Sequence, residues 1–364
     1  MKIIVPKNIL VQAIQTVERL VGKKESLPVL SCILIEVSNQ CVLRATNLEA
    51  GIEVLLPCDI KERGSVAVPA TIFSQTIRAI TGETVTLSVE DSNIRVEARG
   101  TKTLIKTVLH DEFPPIGGLL KKGVRIPRQH LIKGIQAVSY AASPSMIRPE
   151  LGSILISFRD DTMVCVATDS FRLAEKTFPL SISGEIDDVL IPLKHAGELV
   201  YVLERMSGEV VEMVSDDSQI TISGDGVRFV SRVIDGVFPN YRDIIPTHPL
   251  TTATVLKSDL SDTLRKARVF SGSESQIGFH VYPQKKIFTA TAQSQHVGEM
   301  SDTIDAALTG EDIDINFHIG YLADCIPAIT ADSVVMGFAG VGRPLVIRGV
   351  SDTSFLYLVM PLNR

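Results

Sequence analysis

A chain that repeats one short passage at intervals of a third of its length is constrained to fold into related units set in tandem. The fullest copy is Val164-Cys165-Val166-Ala167-Thr168-Asp169-Ser170-Phe171-Arg172-Leu173-Ala174-Glu175, a short apolar strand that runs into a polar turn carrying one arginine without an evident partner. Val42-Leu43-Arg44-Ala45-Thr46-Asn47 followed by Glu53 resembles it upstream, and Ile287-Phe288-Thr289-Ala290-Thr291 followed by Glu299 resembles it downstream. Ala45, Ala167 and Ala290 lie 122 and then 123 residues apart in a chain of 364. Solenoid and propeller repeats run at about 20 to 50 residues, so copies of this size are expected to be domains with cores of their own. A hydrophobic share of 45% is enough to fill them.

Each third reads as one programme. An amphipathic helix opens it, over Ile9 to Leu20, Leu131 to Tyr140 and Leu260 to Phe270, with apolar residues at helical spacing such as Leu10, Ile14 and Val17. Strands follow at Ile33 to Val37, Ile154 to Phe158 and Gly278 to Tyr282, and turns at Asn39, Asp160 and Pro283 lead into the repeated passage. A second helix comes after Val68-Pro69, Ile191-Pro192 and Phe317-His318, over Ile72 to Ile80, Gly197 to Met206 and Tyr321 to Ile329. Proline suits a helix start because the N–H it lacks has no helical acceptor there. Paired strands close the unit, as in Val85 to Val89 and Ile94 to Ala98 around the turn Asp91-Ser92-Asn93. The copies end alike at Phe113-Pro114, Phe238-Pro239 and Met360-Pro361. Gly117-Gly118 with Lys121-Lys122-Gly123, and Pro246-Thr247-His248-Pro249, read as linkers, which gives three α+β domains over 1–121, 122–247 and 248–364.

Several function classes find no support. No apolar run approaches the roughly 18 to 20 residues needed to span a bilayer, and Met1-Lys2-Ile3-Ile4-Val5-Pro6 has no signal-peptide pattern, so a cytoplasmic protein is expected. Cys32, Cys41, Cys58, Cys165 and Cys325 are widely spaced within apolar patterns and read as free thiols. The seven histidines show no ligand spacing, so neither a metal nor a cofactor is expected. There is no nucleophile elbow, Walker loop or dinucleotide fingerprint. The glycine-rich Met336 to Gly342 does not open a helix and reads as a hairpin connection. Asp169 and Asp235 are the carboxylates that a metal-dependent hydrolase would use, but no nucleophile accompanies them.

Charge placement says more than total charge. The chain carries a formal net charge of −6. Yet residues 7–24 hold Lys7, Arg19, Lys23 and Lys24 against Glu18, and residues 124–143 hold Arg125, Arg128 and Lys133 with no acid. Residues 257–270 hold Lys257, Arg265, Lys266 and Arg268 against Asp259 and Asp262. One equivalent helix per repeat is therefore basic on an acidic body, an arrangement that meets phosphates on one surface and repels them elsewhere. With few aromatics on these helices, base stacking is not expected.

Along its whole length the chain resembles the bacterial DNA polymerase III β subunit family, the replicative sliding clamps. The residues that carry the resemblance are Leu27-Pro28-Val29-Leu30, the passage Ala167 to Ala174, Asp235-Gly236-Val237-Phe238-Pro239-Asn240-Tyr241-Arg242 and the terminal Tyr357-Leu358-Val359-Met360-Pro361-Leu362. The resemblance implies three tandem clamp domains, each of two helices and antiparallel sheets, and a head-to-tail homodimer that rings duplex DNA without chemistry of its own. It implies a pocket for partner peptides between the second and third domains, made by Leu151, Thr168, Ser170, Phe171, Arg172, Leu173, Pro239, Arg242, Ile244, Leu358, Met360, Pro361 and Leu362. Its users would be the replicative polymerase α subunit, the clamp loader, repair and translesion polymerases, mismatch-repair proteins and ligase. Non-specific DNA contacts fall to Lys24, Arg128, Lys133, Arg148, Lys194, Arg265, Lys266 and Arg268. The dimer contact falls to Lys102, Leu104, Ile105, Lys106, Val269, Phe270, Glu299 and Asp302, with Ile105 and Phe270 as its apolar part. Phe171 stands where many members have His, and Pro149-Glu150 replaces an aromatic pair. The alternatives are a monomeric peptide-binding adaptor and the hydrolase built on Asp169 and Asp235.

Overall fold

The computed structural model describes residues 1–22, 27–119, 123–145, 147–159, 161–180 and 187–362; Lys24, the linker lysines Lys121 and Lys122 and the turn at Asp160 lie outside them. The first third runs β1 (Lys2–Pro6), α1 (Lys7–Glu18), β2 (Cys32–Val37), β3 (Cys41–Thr46), β4 (Ala50–Leu56), β5 (Asp59–Glu62), β6 (Gly64–Pro69), α2 (Ala70–Ala79), β7 (Thr84–Glu90), β8 (Asn93–Ala98) and β9 (Thr101–Lys106). The second runs β10 (Val124–Pro127), α3 (Arg128–Val138), β11 (Ser153–Arg159), β12 (Thr162–Thr168), β13 (Arg172–Pro179), β14 (Val189–Pro192), α4 (Leu193–Leu203), β15 (Val210–Ser215), β16 (Gln219–Gly224) and β17 (Val227–Arg232). The last runs β18 (Thr251–Leu256), α5 (Lys257–Phe270), β19 (Gln276–Tyr282), β20 (Ile287–Ser294), β21 (Gly298–Thr303), β22 (Ala306–Gly310), β23 (Ile313–His318), α6 (Ile319–Cys325), β24 (Ser333–Phe338), β25 (Leu345–Gly349) and β26 (Phe355–Val359).

The helices start before the apolar periodicity does. Their first turns, such as Lys7-Asn8 and Lys257-Ser258-Asp259, are polar, and each helix follows directly from a strand whose neighbour holds its first N–H: Lys7 on Glu83 O, Arg128 on Glu209 O and Lys257 on Asp332 O, each at 2.8 Å. Pro69 precedes α2, whereas His318 caps α6, its Nδ1 accepting from Tyr321 N at 3.4 Å. That helix ends at Cys325 and tightens to a 3-10 turn over Ile326–Ala328, where Pro327 removes a donor. The expected hairpin of β7 and β8 turns through Asp91 and Ser92, both at positive φ, as a tight hairpin turn requires. Of the glycine-rich stretch, Met336 to Phe338 end β24, and Ala339 to Gly342 begin its connection to the paired β25.

The residues form two compact units. In the first, a five-stranded sheet β5-β1-β7-β8-β9 accompanies an eight-stranded sheet β10-β15-β16-β17-β4-β3-β2-β6. In the second, a nine-stranded sheet β14-β11-β12-β13-β26-β25-β24-β18-β22 accompanies a four-stranded sheet β21-β20-β19-β23. The thirds are thus less insulated than three separate cores would be. Strand β4 of the first third pairs with β17 of the second, and β13 of the second pairs with β26 of the third, in matching register: Ala50 faces Ser231 as Arg172 faces Val359.

Register also corrects the third copy of the repeated passage. Leu155 lies between Val166 and Leu190, and Gly278 lies between Thr291 and Asn316; Leu193 N and Ile319 N, one per repeat, donate back to Gly152 O and Ser275 O. Ala292, not Ala290, therefore holds the place of Ala167, and Glu299 does not hold that of Glu175. A slip of two residues leaves every side chain on the same face, and both alanines are buried, so the inside–outside pattern could not distinguish them.

Candidate functional site

The polar turn after β12 is held by its own side chains. Thr168 Oγ1 donates to Arg172 O at 2.7 Å and accepts from Ser170 N at 3.2 Å, while Asp169 Oδ1 accepts from Phe171 N at 2.9 Å and Arg172 N at 3.0 Å. Ser170 sits at φ 78°. The turn after β3 is built the same way: Thr46 Oγ1 on Ala50 O at 2.9 Å, Asn47 Oδ1 on Glu49 N at 3.1 Å and Ala50 N at 2.8 Å, with Leu48 at φ 73°. Thr-Asx therefore encodes the loop in both repeats, because each side chain stands in for a backbone acceptor.

The arginine distinguishes the second copy, and it is not unpaired. Arg172 Nε donates to Asp169 Oδ2 at 2.9 Å and Nη1 to Asp324 Oδ2 at 2.6 Å, and the guanidinium lies 4.3 Å from the Tyr321 ring centre and 5.9 Å from that of Tyr140. Burial opposes its charge, but Asp324 and Asp169 outweigh that and raise its pKa. Burial raises the pKa of the Tyr140 and Tyr321 hydroxyls, and burial with the nearby Arg172 charge lowers that of His318, whose ring lies 4.4 Å from Tyr321. Asp169 is thus committed to its own turn, which removes it from the hydrolase reading.

Of the residues expected to form a pocket, Thr168, Leu173 and Leu358 lie in one cross-strand row that continues to Val346. Met360 N donates to Phe171 O and Leu362 N to Asn316 O, both at 2.8 Å, so Met360, Pro361 and Leu362 are tied between the turn and β23. Phe171 is 62% exposed and Ile244 53%. Leu151 O accepts from Ser143 N at 2.8 Å. Pro239 and Arg242 instead line a cavity of about 350 Å³ floored by Leu155 and Leu190, with Phe238 and Tyr241 beside them. Burial, and a hydrogen bond to Glu175, push the Tyr241 hydroxyl up to about 12. Sequence reasoning missed Tyr321, Asp324, Val346 and Leu190. An aromatic-x-x-acid spacing on the second helices, His195 with Glu198 and Tyr321 with Asp324, was the available signal.

The basic residues divide. Lys133 and Arg268 are exposed. Arg128 spends its guanidinium on Leu203 O at 2.7 Å and Gly208 O at 2.6 Å. Arg148 pairs with Glu150 at 3.0 Å, Arg265 with Asp262 at 3.1 Å, and Lys194 lies 3.8 Å from Glu49. Lys266 pairs with Asp302, which also accepts from Thr263 at 2.7 Å; both acids and bases here serve the body before any ligand. Strands β9 and β21, which carry most of the expected dimer contact, are sheet edges. Ile105, expected at the apolar contact, is only 4% exposed and faces its own core, while Leu104 is 57% exposed; strand alternation explains the exchange. Val269 is exposed, Phe270 half-buried, and Lys102, Lys106 and Glu299 exposed.

Repeated helix-backed antiparallel sheets, joined strand to strand from one repeat to the next, define a DNA-clamp architecture. Three family profiles match it in order: the DNA polymerase III beta subunit N-terminal domain over 1–117, the central domain over 125–240 and the C-terminal domain over 242–363. The chain belongs to the DNA polymerase III beta subunit family, the β sliding clamps, which are processivity factors without an active site. The beta sliding clamps of Vibrio cholerae and Bacillus subtilis are each 26% identical to it over 100% of both chains. The solved sliding clamp of Bacillus subtilis superposes with a TM-score of 0.95 at 24% identity, covering 100% of this chain and 99% of that one.

Proposed function

We propose that two copies close head to tail around duplex DNA and tether a polymerase there, with partner peptides docking beside the Thr168–Arg172 turn. The observation that supports this is the repeated seam. Within the chain, β4 accepts β17 and β13 accepts β26 in one register, while the third counterparts, β21 and β9, are edges. Carrying that register across two copies sets Met300 opposite Thr103, Glu299 opposite Leu104 and Ser301 opposite Lys102. Glu299 then lies diagonally between Lys102 and Lys106, close enough for long side chains to pair. Two such heterologous contacts, β21 on β9 and β9 on β21, close the assembly and leave neither edge free.

Lys133, Arg268 and the less committed bases would meet phosphate only, so binding ignores sequence and weakens with salt. The Leu173 and Leu358 row, Met360 and Ile244 offer aliphatic walls to a partner's Leu and Phe. Two such anchors are worth roughly 1.5 to 3 kcal/mol each before ordering costs, so a lone peptide should bind weakly. Weak docking suits a site shared in turn by polymerases, clamp loader, repair proteins and ligase in the cytoplasm, at the nucleoid. The test is topological: protein loaded on closed circular DNA should stay bound in high salt and leave once the circle is cut, and equal loss from both forms would refute encirclement.

A further inference from the structure

The first and second repeats cover the same patch of sheet in different ways. Pairing equates Leu155, Ser157, Asp188 and Leu190 of the second with Leu34, Glu36, Ser65 and Ala67 of the first. In the first repeat the chain beyond β9 closes the patch itself. Val108 N donates to Ala67 O at 3.0 Å, the His110 ring shares a 2.8 Å hydrogen bond with Ser65 Oγ, and Phe113 packs with Val108 against Leu34 and Ala67. Glu83 and Glu209 hold equivalent helix starts, and pairing onward from them equates Lys106 of β9 with Arg232 of β17. Four residues further on, Gly236 stands at the place of His110. The second repeat thus has no ring of its own to set beside Asp188, and the place is the cavity of about 350 Å³.

Leu155 and Leu190 floor this cavity, and Phe238 and Tyr241, edge to face with ring centres 6.1 Å apart, stand beside them. Apolar walls with a few convergent polar groups are what a ligand pocket presents. Two such groups converge here. Ser157 lines the cavity at 4% exposure, and its hydroxyl makes no hydrogen bond among the described residues. Its counterpart Glu36 pairs with Arg44, but Val166 holds the place of Arg44 in the second repeat. A buried hydroxyl without a partner costs free energy that a bound group would return. Asp188 accepts from Arg159 at 3.1 Å through Oδ2, which leaves Oδ1 for another donor. A phenol answers both groups, since its O–H donates to the carboxylate and accepts from the serine, while its ring takes the place that the His110 ring has in the first repeat.

We propose that this cavity is a second docking site, taking a tyrosine side chain presented by a partner protein. A protein segment is the occupant because chain fills the same place in the first repeat, and because residues 236–242 run on to Ile244 of the peptide dock; only there does the inference rest on the dock reading. No residue of the seam strands β9 and β21 lines the cavity. The probe is acetyl-Gly-Tyr-Gly-amide titrated into the full-length dimer and read at the methyl resonances of Leu155 and Leu190, with the phenylalanine peptide as the control that lacks the hydroxyl. Saturable shifts are expected at these two leucines and not at Leu173 or Leu358. Asp188→Asn should weaken binding about tenfold, and the phenylalanine peptide or Ser157→Ala at least about threefold. Gly236→His, which supplies the ring of the first repeat, should abolish it; Gly236 is not at positive φ, so the loop accepts a side chain. No shift at Leu155 and Leu190, equal affinity for the phenylalanine peptide, undiminished binding by Gly236→His, or shifts confined to Leu173 and Leu358 would overturn the proposal. A Gln-Leu-x-Leu-Phe peptide titrated in parallel tests the dock itself, and its failure to bind would leave the Leu155 and Leu190 result standing.

Discussion

The Asp169–Arg172 pair should behave as one unit, and the first repeat supplies its control. Both side chains are largely buried, joined at 2.9 Å, and Asp169 also holds the amides of Phe171 and Arg172. A buried charge-assisted hydrogen bond contributes about 1.5 to 3 kcal/mol. Asp169→Asn keeps an acceptor for the two amides, as Asn47 does natively, but strands the guanidinium; Arg172→Ala strands one carboxylate oxygen and empties the space over Tyr321. Each single change should cost about 2 to 3 kcal/mol. The double change recreates the Asn47 and Ala50 pairing of the first repeat and should cost much less than their sum, with a coupling of about 2 kcal/mol. Native-state hydrogen exchange at the Phe171 amide reads this locally, where 2 kcal/mol is about a thirtyfold change in protection. Asn47→Asp, with no arginine at position 50, should change exchange at Glu49 by less than about 0.5 kcal/mol. Additivity of the Asp169 and Arg172 changes within about 0.5 kcal/mol would refute the coupled unit.

Other expectations follow from single features. Leu104→Lys should give monomers in sedimentation while leaving the fold intact, whereas Ile105→Ala should cost the first repeat about 3 kcal/mol through a cavity in its own core; an unchanged dimer for Leu104→Lys would reject the seam. The Asp352 carboxylate is held at about 2, since burial is outweighed by hydrogen bonds from Ser354, Lys176 and Thr330. A depressed acid stabilises above its unfolded value, so about 2 kcal/mol should be lost as pH falls from about 4 to 2; Asp352→Asn should flatten that slope in acid titrations followed by circular dichroism. Removing residues 360–364 deletes the bonds to Phe171 and Asn316, and should abolish binding of a fluorescent Gln-Leu-x-Leu-Phe peptide while dimer mass is kept.

Much of this architecture was legible because it is written several times over. The Thr-Asx turn could be read from residues alone, and so could the hairpin at Asp91. The helix starts could not, because a polar first turn has no apolar period and is fixed by a neighbouring strand's carbonyl. Ala290 was mistaken for the counterpart of Ala167, the place that Ala292 holds, because strand patterning is blind to even slips. The pairing of Arg172 was hidden for another reason: Asp324 lies 152 residues away, and nothing local announces it. Ile105 faces inward and Leu104 outward because neighbours on a strand face opposite ways, and sequence alone did not say which face was which.

The seams also say what the linkers are not for. Since β4 is bonded along its length to β17, and β13 to β26, the peptide bonds between repeats carry little of the load of holding them together. A cut between Gly117 and Gly118 should leave two fragments that still migrate as one particle until denatured. A joint that tolerates the loss of its covalent bridge is one that never needed it, so the same joint can be made between separate chains. Tandem fusion and self-assembly are then two ways of writing a single contact, and the number of repeats per chain is a matter of bookkeeping in the gene more than of mechanics in the protein.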